Sequence, residues 1–313
     1  MKLLPHLFPS IFRPIVALML ASTSTVVLAD AGSYFSASYS SRQNDVITVL
    51  ASTEVEYDNS AYTRFEFSQK LYKDFRLGAV LQMDEEANDL IGYAGHVTNG
   101  RWFVSVEQSE FSGALVDDDG VPFAVFEDNR YLDLKLMKKA ENPVDEVEAM
   151  LSTGVQYLSY QRPAAYEQEG IQYYDTSLEN KFLAFVFEID SVKEKMLSGG
   201  IEKNLDWYFY NTTALGLGHL SSDEPLLRDA PGIEGNPDQT SWTGVGIAGE
   251  YELGAVYYIS MPMFRMAAKA GYRVDLEGPV MFHGGTFDDI DDTIHPDEQL
   301  LNHGPSISLS AAF

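Results

Sequence analysis

The sequence predicts an all-β fold, a transmembrane antiparallel up-and-down β-barrel of about twelve strands. Apolar and polar residues alternate with a period of two along most of the chain beyond residue 29, which is the pattern of strands with one apolar face. Segments such as 46–57 and 243–259 reach the ~9–11 residues with which a tilted strand crosses a bilayer. No run of about 18 apolar residues follows residue 29, so any spanning structure must be a barrel.

Residues 1–29 have the features of a secretory signal peptide. Two basic residues lead into an apolar stretch that ends in small residues at Ala29. We predict cleavage after Ala29 or after Ala31, which leaves 30–313 as a single barrel domain. An N-terminal membrane anchor is the alternative, although the apolar core is short for spanning a bilayer.

The composition excludes several classes of partner and site. The formal net charge is −26, from 47 acidic residues against 21 Lys plus Arg, and loss of the two basic residues of the signal peptide changes −26 to −28. Such a chain repels phosphate backbones, so a nucleic-acid partner is excluded. The chain contains no cysteine, which rules out disulfides and thiolate metal sites.

Individual strands follow from the alternation and from the turn residues that interrupt it. The predicted strands are 46–57, 61–71, 75–83, 90–97, 101–112, 130–138, 147–160, 181–190, 205–218, 243–259, 264–276 and 304–313. Residues 33–41 extend the first strand or form their own, and 195–203 are a candidate for a further one. Single-chain bacterial barrels have an even strand count, so ten and fourteen remain alternatives to twelve.

The connections distinguish this barrel from a soluble β-sandwich, which is the other all-β interpretation. Long acidic loops are predicted at 113–129, 161–180, 219–242 and 277–303, and short turns between them. Short turns at one rim and long loops at the other are typical of outer-membrane barrels. Aromatic residues near strand ends, such as Trp102, Trp207 and Tyr257, agree with a belt at the headgroup level.

The last ten residues resemble the closing strand of Gram-negative outer-membrane β-barrel proteins. Those strands end in an aromatic residue and carry apolar residues at every second position before it, as Ile307, Leu309 and Phe313 do here. Ala311 departs from the pattern, because an aromatic residue is common there. The resemblance implies insertion by the outer-membrane assembly machinery, pairing of the first and last strands, and outer-membrane lipid and lipopolysaccharide as surroundings.

Charged residues on the inward face of the predicted strands carry both signs. The predicted lumen-lining residues are Arg64, Glu66, Lys70, Arg76, Arg101, Glu250, Glu252, Lys269, Arg273 and Asp275. They either pair across the lumen and plug it or line a narrow aqueous path with a weak preference for cations. A wide pore is not expected, since about twelve strands enclose less space than the 16–18 of porins.

Metal and cofactor sites have little support. We expect no resident cofactor, with one alternative: Asp288, Asp289, Asp291 and Asp292 in a predicted loop offer oxygen ligands to Ca²⁺. Solvated acidic loops are the simpler interpretation. His96, His283, His295 and His303 have no metal-ligand spacing, so we expect them at the rim or exposed to solvent.

One pair of residues suggests catalysis. His219 and Ser221 lie two apart and share a strand face if the strand continues that far. The pair resembles the His-x-Ser arrangement of outer-membrane phospholipases and lipid A deacylases, with Asp223, Glu224 or Asn236 as candidates for orienting the histidine. We therefore predict a narrow small-solute channel or a structural surface barrel with acidic extracellular loops, and a lipid-modifying hydrolase as the alternative.

Overall fold

The computed structural model describes residues 32–41, 43–47, 54–57, 61–84, 90–116, 121–140, 151–168, 171–198, 201–221, 241–261, 264–282 and 299–313. The predicted signal peptide and the acidic cluster at 288–292 lie outside the described residues. The strands are β1 Ser33–Ser41, β2 Gln43–Ile47, β3 Glu54–Tyr57, β4 Ala61–Tyr72, β5 Phe75–Asp84, β6 Leu90–Asn99, β7 Trp102–Val116, β8 Pro122–Lys139, β9 Leu151–Gln168, β10 Ile171–Asp190, β11 Leu205–Ser221, β12 Ser241–Met261, β13 Phe264–Phe282 and β14 Gln299–Ala312. Helix α1, Ser191–Ser198, connects β10 to β11.

The strands form a closed antiparallel ring. Neighbours pair in chain order from β4 to β14, and β1 pairs with both β4 and β14. Strand β2 continues the line of β1 along β14, and β3 pairs with β7 outside this path. Of the fourteen strands in the described residues, twelve therefore form the ring, which confirms the predicted barrel and its strand number.

Closure depends on the start of β1 and on the C-terminal residue. The Phe313 amide donates to the Ser33 carbonyl at 3.0 Å, and the Ser33 amide donates back at 3.3 Å. The Phe313 ring stacks on Phe264 with 5.5 Å between centroids. Leu309 packs against a buried cluster that contains Phe35, and Ile307 is exposed on the outside. The last strand thus seals the ring against the first.

The identity of the first barrel strand differs from the prediction. Residues 33–41 form it, whereas the described residues of the predicted strand 46–57 belong to the end of β2 and to the separate β3. Both segments alternate, but the ring closes only with a strand whose end aligns with the end of β14. Residues 33–41 meet that condition, since Tyr34 faces Ala312 and Ser40 faces Ser306.

Two predicted loops are largely strand. Strands β7 and β8 leave only residues 117–121 between them, and β9 and β10 leave only 169–170. Where a strand extends beyond the apolar belt, neither of its faces has to be apolar. The sequence there lacks the alternation from which we predicted strands. The predicted loops 113–129 and 161–180 were therefore wrong, and so was the candidate strand 195–203, where α1 and a non-strand segment lie.

The outer surface carries a belt of exposed apolar side chains. Phe185 is 70% exposed, and other large apolar residues exposed on the outer face include Leu77, Leu81, Val104, Val106, Leu183, Leu215, Leu217 and Leu253. An apolar patch of this extent is unfavourable in water and favourable against lipid. Within the described residues, no helix has the length and apolar character to cross a membrane.

Candidate functional site

Helix α1 folds inward at the end of the barrel where Ser33 and Phe313 lie, here called the short-turn end. Asp190 caps the helix, because its Oδ1 accepts from the Val192 and Lys193 amides at 3.1 and 2.9 Å. Val192 and Met196, four residues apart, share one helix face and are 3% and 0% exposed. They join a buried cluster with the strand residues Tyr34, Tyr208, Val256, Tyr258, Ala267 and Ala312. The helix therefore occupies the interior.

Polar contacts hold both ends of α1. Lys193 Nζ lies 2.6 Å from Glu66 Oε1 on β4, which is six strands from β10 in the ring of twelve and therefore on the opposite wall. Burial opposes the charge of Lys193, but the Glu66 carboxylate outweighs it and raises the pKa of this ammonium above its ordinary value. The Arg265 guanidinium donates to the carbonyls of Met196 and Leu197, which satisfies the end of the helix.

A cavity of about 320 Å³ lies in the lumen between α1 and the other end of the barrel. Its charged lining comprises eight acidic and five basic side chains. Most of them are paired: Arg64 donates two hydrogen bonds to Glu107, at 2.7 and 3.2 Å, and Arg273 lies 3.1 Å from Glu250. Paired charges of mixed sign make this lumen polar and narrow, with an acidic excess.

The predicted lumen-lining residues fall into two groups. Seven of them line the central cavity: Arg64, Glu66, Glu250, Glu252, Lys269, Arg273 and Asp275. The other three, Lys70, Arg76 and Arg101, line a second cavity of about 370 Å³ at the short-turn end, beside α1. Position along the strand decides between the two cavities: Arg64 and Lys70 both lie on β4, but Lys70 is nearer the short-turn end.

His96 departs from the expectation of an exposed histidine. It is 7% exposed and faces the lumen, with Nε2 3.9 Å from Glu66 Oε1 and its ring 5.6 Å from that of Phe103. Gly78, its direct partner on β5, makes the space: a Cβ at Gly78 would lie 2.0 Å from the imidazole. The glycine opposite His96 was the sequence feature that could have indicated a buried histidine.

Part of the interior is apolar, which the sequence analysis missed. A cluster of Met137, Leu158, Tyr160, Phe182, Ala184, Val186, Ala214 and Ala248 is buried inside the wall formed by β8–β12. The signal lay in β10, where both alternating sets are apolar, with Phe182, Ala184 and Val186 inside and Leu183 and Phe185 outside. This cluster narrows the lumen further.

His219 and Ser221 lie on the outer face of β11, just past the apolar belt. The belt ends at Leu217, and His219 is the next outward residue along the strand. His219 Nδ1 lies 3.0 Å from the Thr243 hydroxyl on β12. Within the described residues, no carboxylate forms an ion pair with His219, and the three predicted orienting residues, Asp223, Glu224 and Asn236, lie outside them.

The part of the chain that the structure describes contains no candidate metal site. No group of three His, Asp or Glu side chains there is arranged to hold an ion. Asp288, Asp289, Asp291 and Asp292 lie outside the described residues, so the Ca²⁺ alternative remains a prediction.

Comparisons with known proteins return structural neighbours only. No family model matches the chain, and no curated protein does. The β domain of the Bordetella autotransporter BrkA is similar at 12% identity and a TM-score of 0.32, over 91% of this chain and 99% of that one. The outer membrane protease OmpT from Escherichia coli is similar at 9% identity and a TM-score of 0.32, over 90% and 94%.

Proposed function

We propose that this protein is an outer-membrane barrel whose narrow polar lumen is obstructed by helix α1 at the periplasmic mouth. The observation that most strongly supports this proposal is the complete burial of Met196 inside the ring. Bacterial barrels place their termini and short turns in the periplasm, so the short-turn end is the periplasmic one. The belt of exposed apolar residues supports the membrane location.

The conducting path, when open, is small and favours cations. The eight acidic side chains of the central cavity exceed its five basic ones, and rings of excess acidic charge favour cations in pores. The paired arrangement of these charges and the apolar cluster on β8–β12 leave room for small solutes only. Opening requires α1 to leave the mouth.

Planar-bilayer recordings of purified protein test the proposal. Wild type is expected to show rare and brief openings. Arg265→Gln removes the donor to the last α1 carbonyls, so its openings are expected to be more frequent. Arg130→Gln is the matched control, because Arg130 is exposed and lies on β8, away from α1. Steady wild-type currents, or equal behaviour of the two variants, would contradict an obstructing helix.

A lipid-modifying hydrolase is the second candidate, and one observation favours it. His219 and Ser221 share the outward face at the border of the apolar belt, where a lipid ester bond would lie. The partner of His219 Nδ1 is the Thr243 hydroxyl, which orients a histidine less strongly than a carboxylate does. Catalysis at this rim would not depend on the lumen.

A further inference from the structure

The central cavity and the second cavity meet at a junction beside the first turn of α1. Four residues line both cavities: Phe103 on β7, Glu188 and Asp190 on β10, and Lys193 on α1. A solute that moves from one cavity to the other therefore passes these side chains. Three of the four carry a charge, so the junction is a place in the lumen where protein charge acts on a permeating ion.

Glu188 differs from the other acidic residues of the central cavity, because its carboxylate has no partner among the described residues. Six of the eight acidic side chains in that lining form ion pairs with cations: Glu66, Glu107, Asp133, Glu250, Glu252 and Asp275. Asp190 accepts hydrogen bonds from the Val192 and Lys193 amides. The Glu188 side chain forms neither an ion pair nor a hydrogen bond with any described residue.

The surroundings of Glu188 leave its charge largely uncompensated. Its direct partners across the sheet are Ser152 on β9 and Thr212 on β11, which are uncharged. The two cations that act on it, Lys135 and Lys193, each form an ion pair with another carboxylate. An unpaired carboxylate removed from bulk water lowers stability. Its presence at the junction therefore points to a role in function.

In the proposed open state the junction is more negative than in the obstructed state. Lys193 belongs to α1, so it leaves the junction when the helix leaves the mouth. Glu66 then loses its partner, and one of the two cations that act on Glu188 is gone. Strand β4, which carries Glu66, is six strands from β10 in the ring of twelve, so the two carboxylates lie on opposite walls. A permeating ion passes between two carboxylates that have both lost this cation.

We infer that Glu188 determines the preference of this path for small monovalent cations. The inference rests on the proposed function, since it concerns the lumen with α1 displaced. A carboxylate in a narrow pore raises the local concentration of cations and lowers that of anions. The fields of paired charges largely cancel, so Glu188 contributes more than any paired acidic residue. A divalent ion would need several converging oxygen ligands, and the described residues contain no such group.

Ion selectivity in planar bilayers tests the role of Glu188. The recordings use the Arg265→Gln background, whose openings are expected to be more frequent, and a KCl gradient, so that the reversal potential gives the permeability ratio of K⁺ to Cl⁻. Glu188→Gln is expected to lower this ratio about fivefold, which is the effect of one unit charge at about 4 Å in water. Glu188→Asp keeps the charge and is expected to keep the ratio. Glu179→Gln is the matched control, because Glu179 lies on the same strand in an exposed pair with Lys181.

Heat-modifiable mobility on gels confirms that each variant is folded before it is recorded. A lower ratio in Glu188→Gln, with the other two variants unchanged, supports the inference. An unchanged ratio in Glu188→Gln overturns it, and so does an equal loss in Glu188→Asp or in Glu179→Gln. These results leave the obstruction by α1 intact, because openings are still observed. Absence of openings in every variant would contradict the proposed function, and the role of Glu188 would fail with it.

Discussion

Lys193 of helix α1 forms an ion pair with Glu66 of strand β4, with 2.6 Å between Nζ and Oε1. The helix follows β10, and β4 is on the opposite side of the ring. The pair therefore spans the lumen and holds the first turn of the helix against the opposite wall. Glu66 also faces His96, so the pair lies at the junction of the helix and the central cavity.

Removal of Lys193 is expected to destabilise the barrel. In Lys193→Gln the Glu66 carboxylate loses its strongest partner in a largely buried setting, which costs about 1–3 kcal/mol of unfolding free energy. Urea unfolding in detergent measures the loss. Lys181→Gln is the control, because its pair with Glu179 is exposed and contributes less than about 0.5 kcal/mol. Equal destabilisation by both substitutions would show that the cross-lumen pair has no special role.

The packing around Tyr208 can be tested at Gly271. A Cβ at Gly271 would lie 2.2 Å from the Tyr208 hydroxyl, which also contacts Glu252. Gly271→Ala is therefore expected to displace the ring and to cost about 1–3 kcal/mol, as overpacking does. Gly95→Ala is the control, because nothing lies within 4 Å of a Cβ there. Unfolding midpoints compare the two, and an unchanged midpoint for Gly271→Ala would contradict the packing described.

Strand positions in the membrane belt were predictable because lipid and lumen impose opposite chemistry on the two faces. Strands β12 and β13, predicted at 243–259 and 264–276, extend over Ser241–Met261 and Phe264–Phe282. Past the belt that constraint ends, and the outer parts of the hairpins β7–β8 and β9–β10, at 113–129 and 161–180, were predicted as loops. The first strand was left open between 33–41 and 46–57, because both segments alternate and only ring closure selects between them.

Interior features were harder to predict, since they depend on which strands face each other. Alternation places Arg64 and Glu107 on inward faces, but their pairing from β4 to β7 follows from the curvature of the ring. Helix α1 spans only eight residues, and its one buried pair, Val192 and Met196, is too short a pattern to identify a helix. For the second cavity, the sequence predicted that Lys70, Arg76 and Arg101 face inward, but not that they meet beside α1.

The terminal residue has a testable role in assembly. Phe313→Ala keeps the backbone hydrogen bonds to Ser33 but loses the stack on Phe264. We expect less folded barrel in the membrane fraction, measured as the heat-modifiable band on gels, while refolding of purified protein in detergent changes little. Leu205→Ala, an exposed position at the start of β11, is the control. An undiminished folded band in Phe313→Ala would contradict the assembly role.

The hydrolase candidate has a direct test. If His219 activates Ser221, purified wild type releases fatty acid from phospholipid or lipid A with Ca²⁺ present, and Ser221→Ala lowers the rate by several orders of magnitude. Ser241→Ala, across the strand pair from Ser221, is the control. Absence of release by wild type rejects this function and leaves the barrel proposal intact.

Thiol accessibility at Met196 tests the position of α1 most directly, because the chain contains no cysteine that would interfere. Met196→Cys and Glu202→Cys are reconstituted separately and exposed to a charged, membrane-impermeant thiol reagent. Glu202 is exposed and follows the helix, whereas Met196 is 0% exposed within the ring. The account predicts rapid labelling at Glu202→Cys and strong protection at Met196→Cys. Equal labelling of the two would mean that α1 does not occupy the mouth.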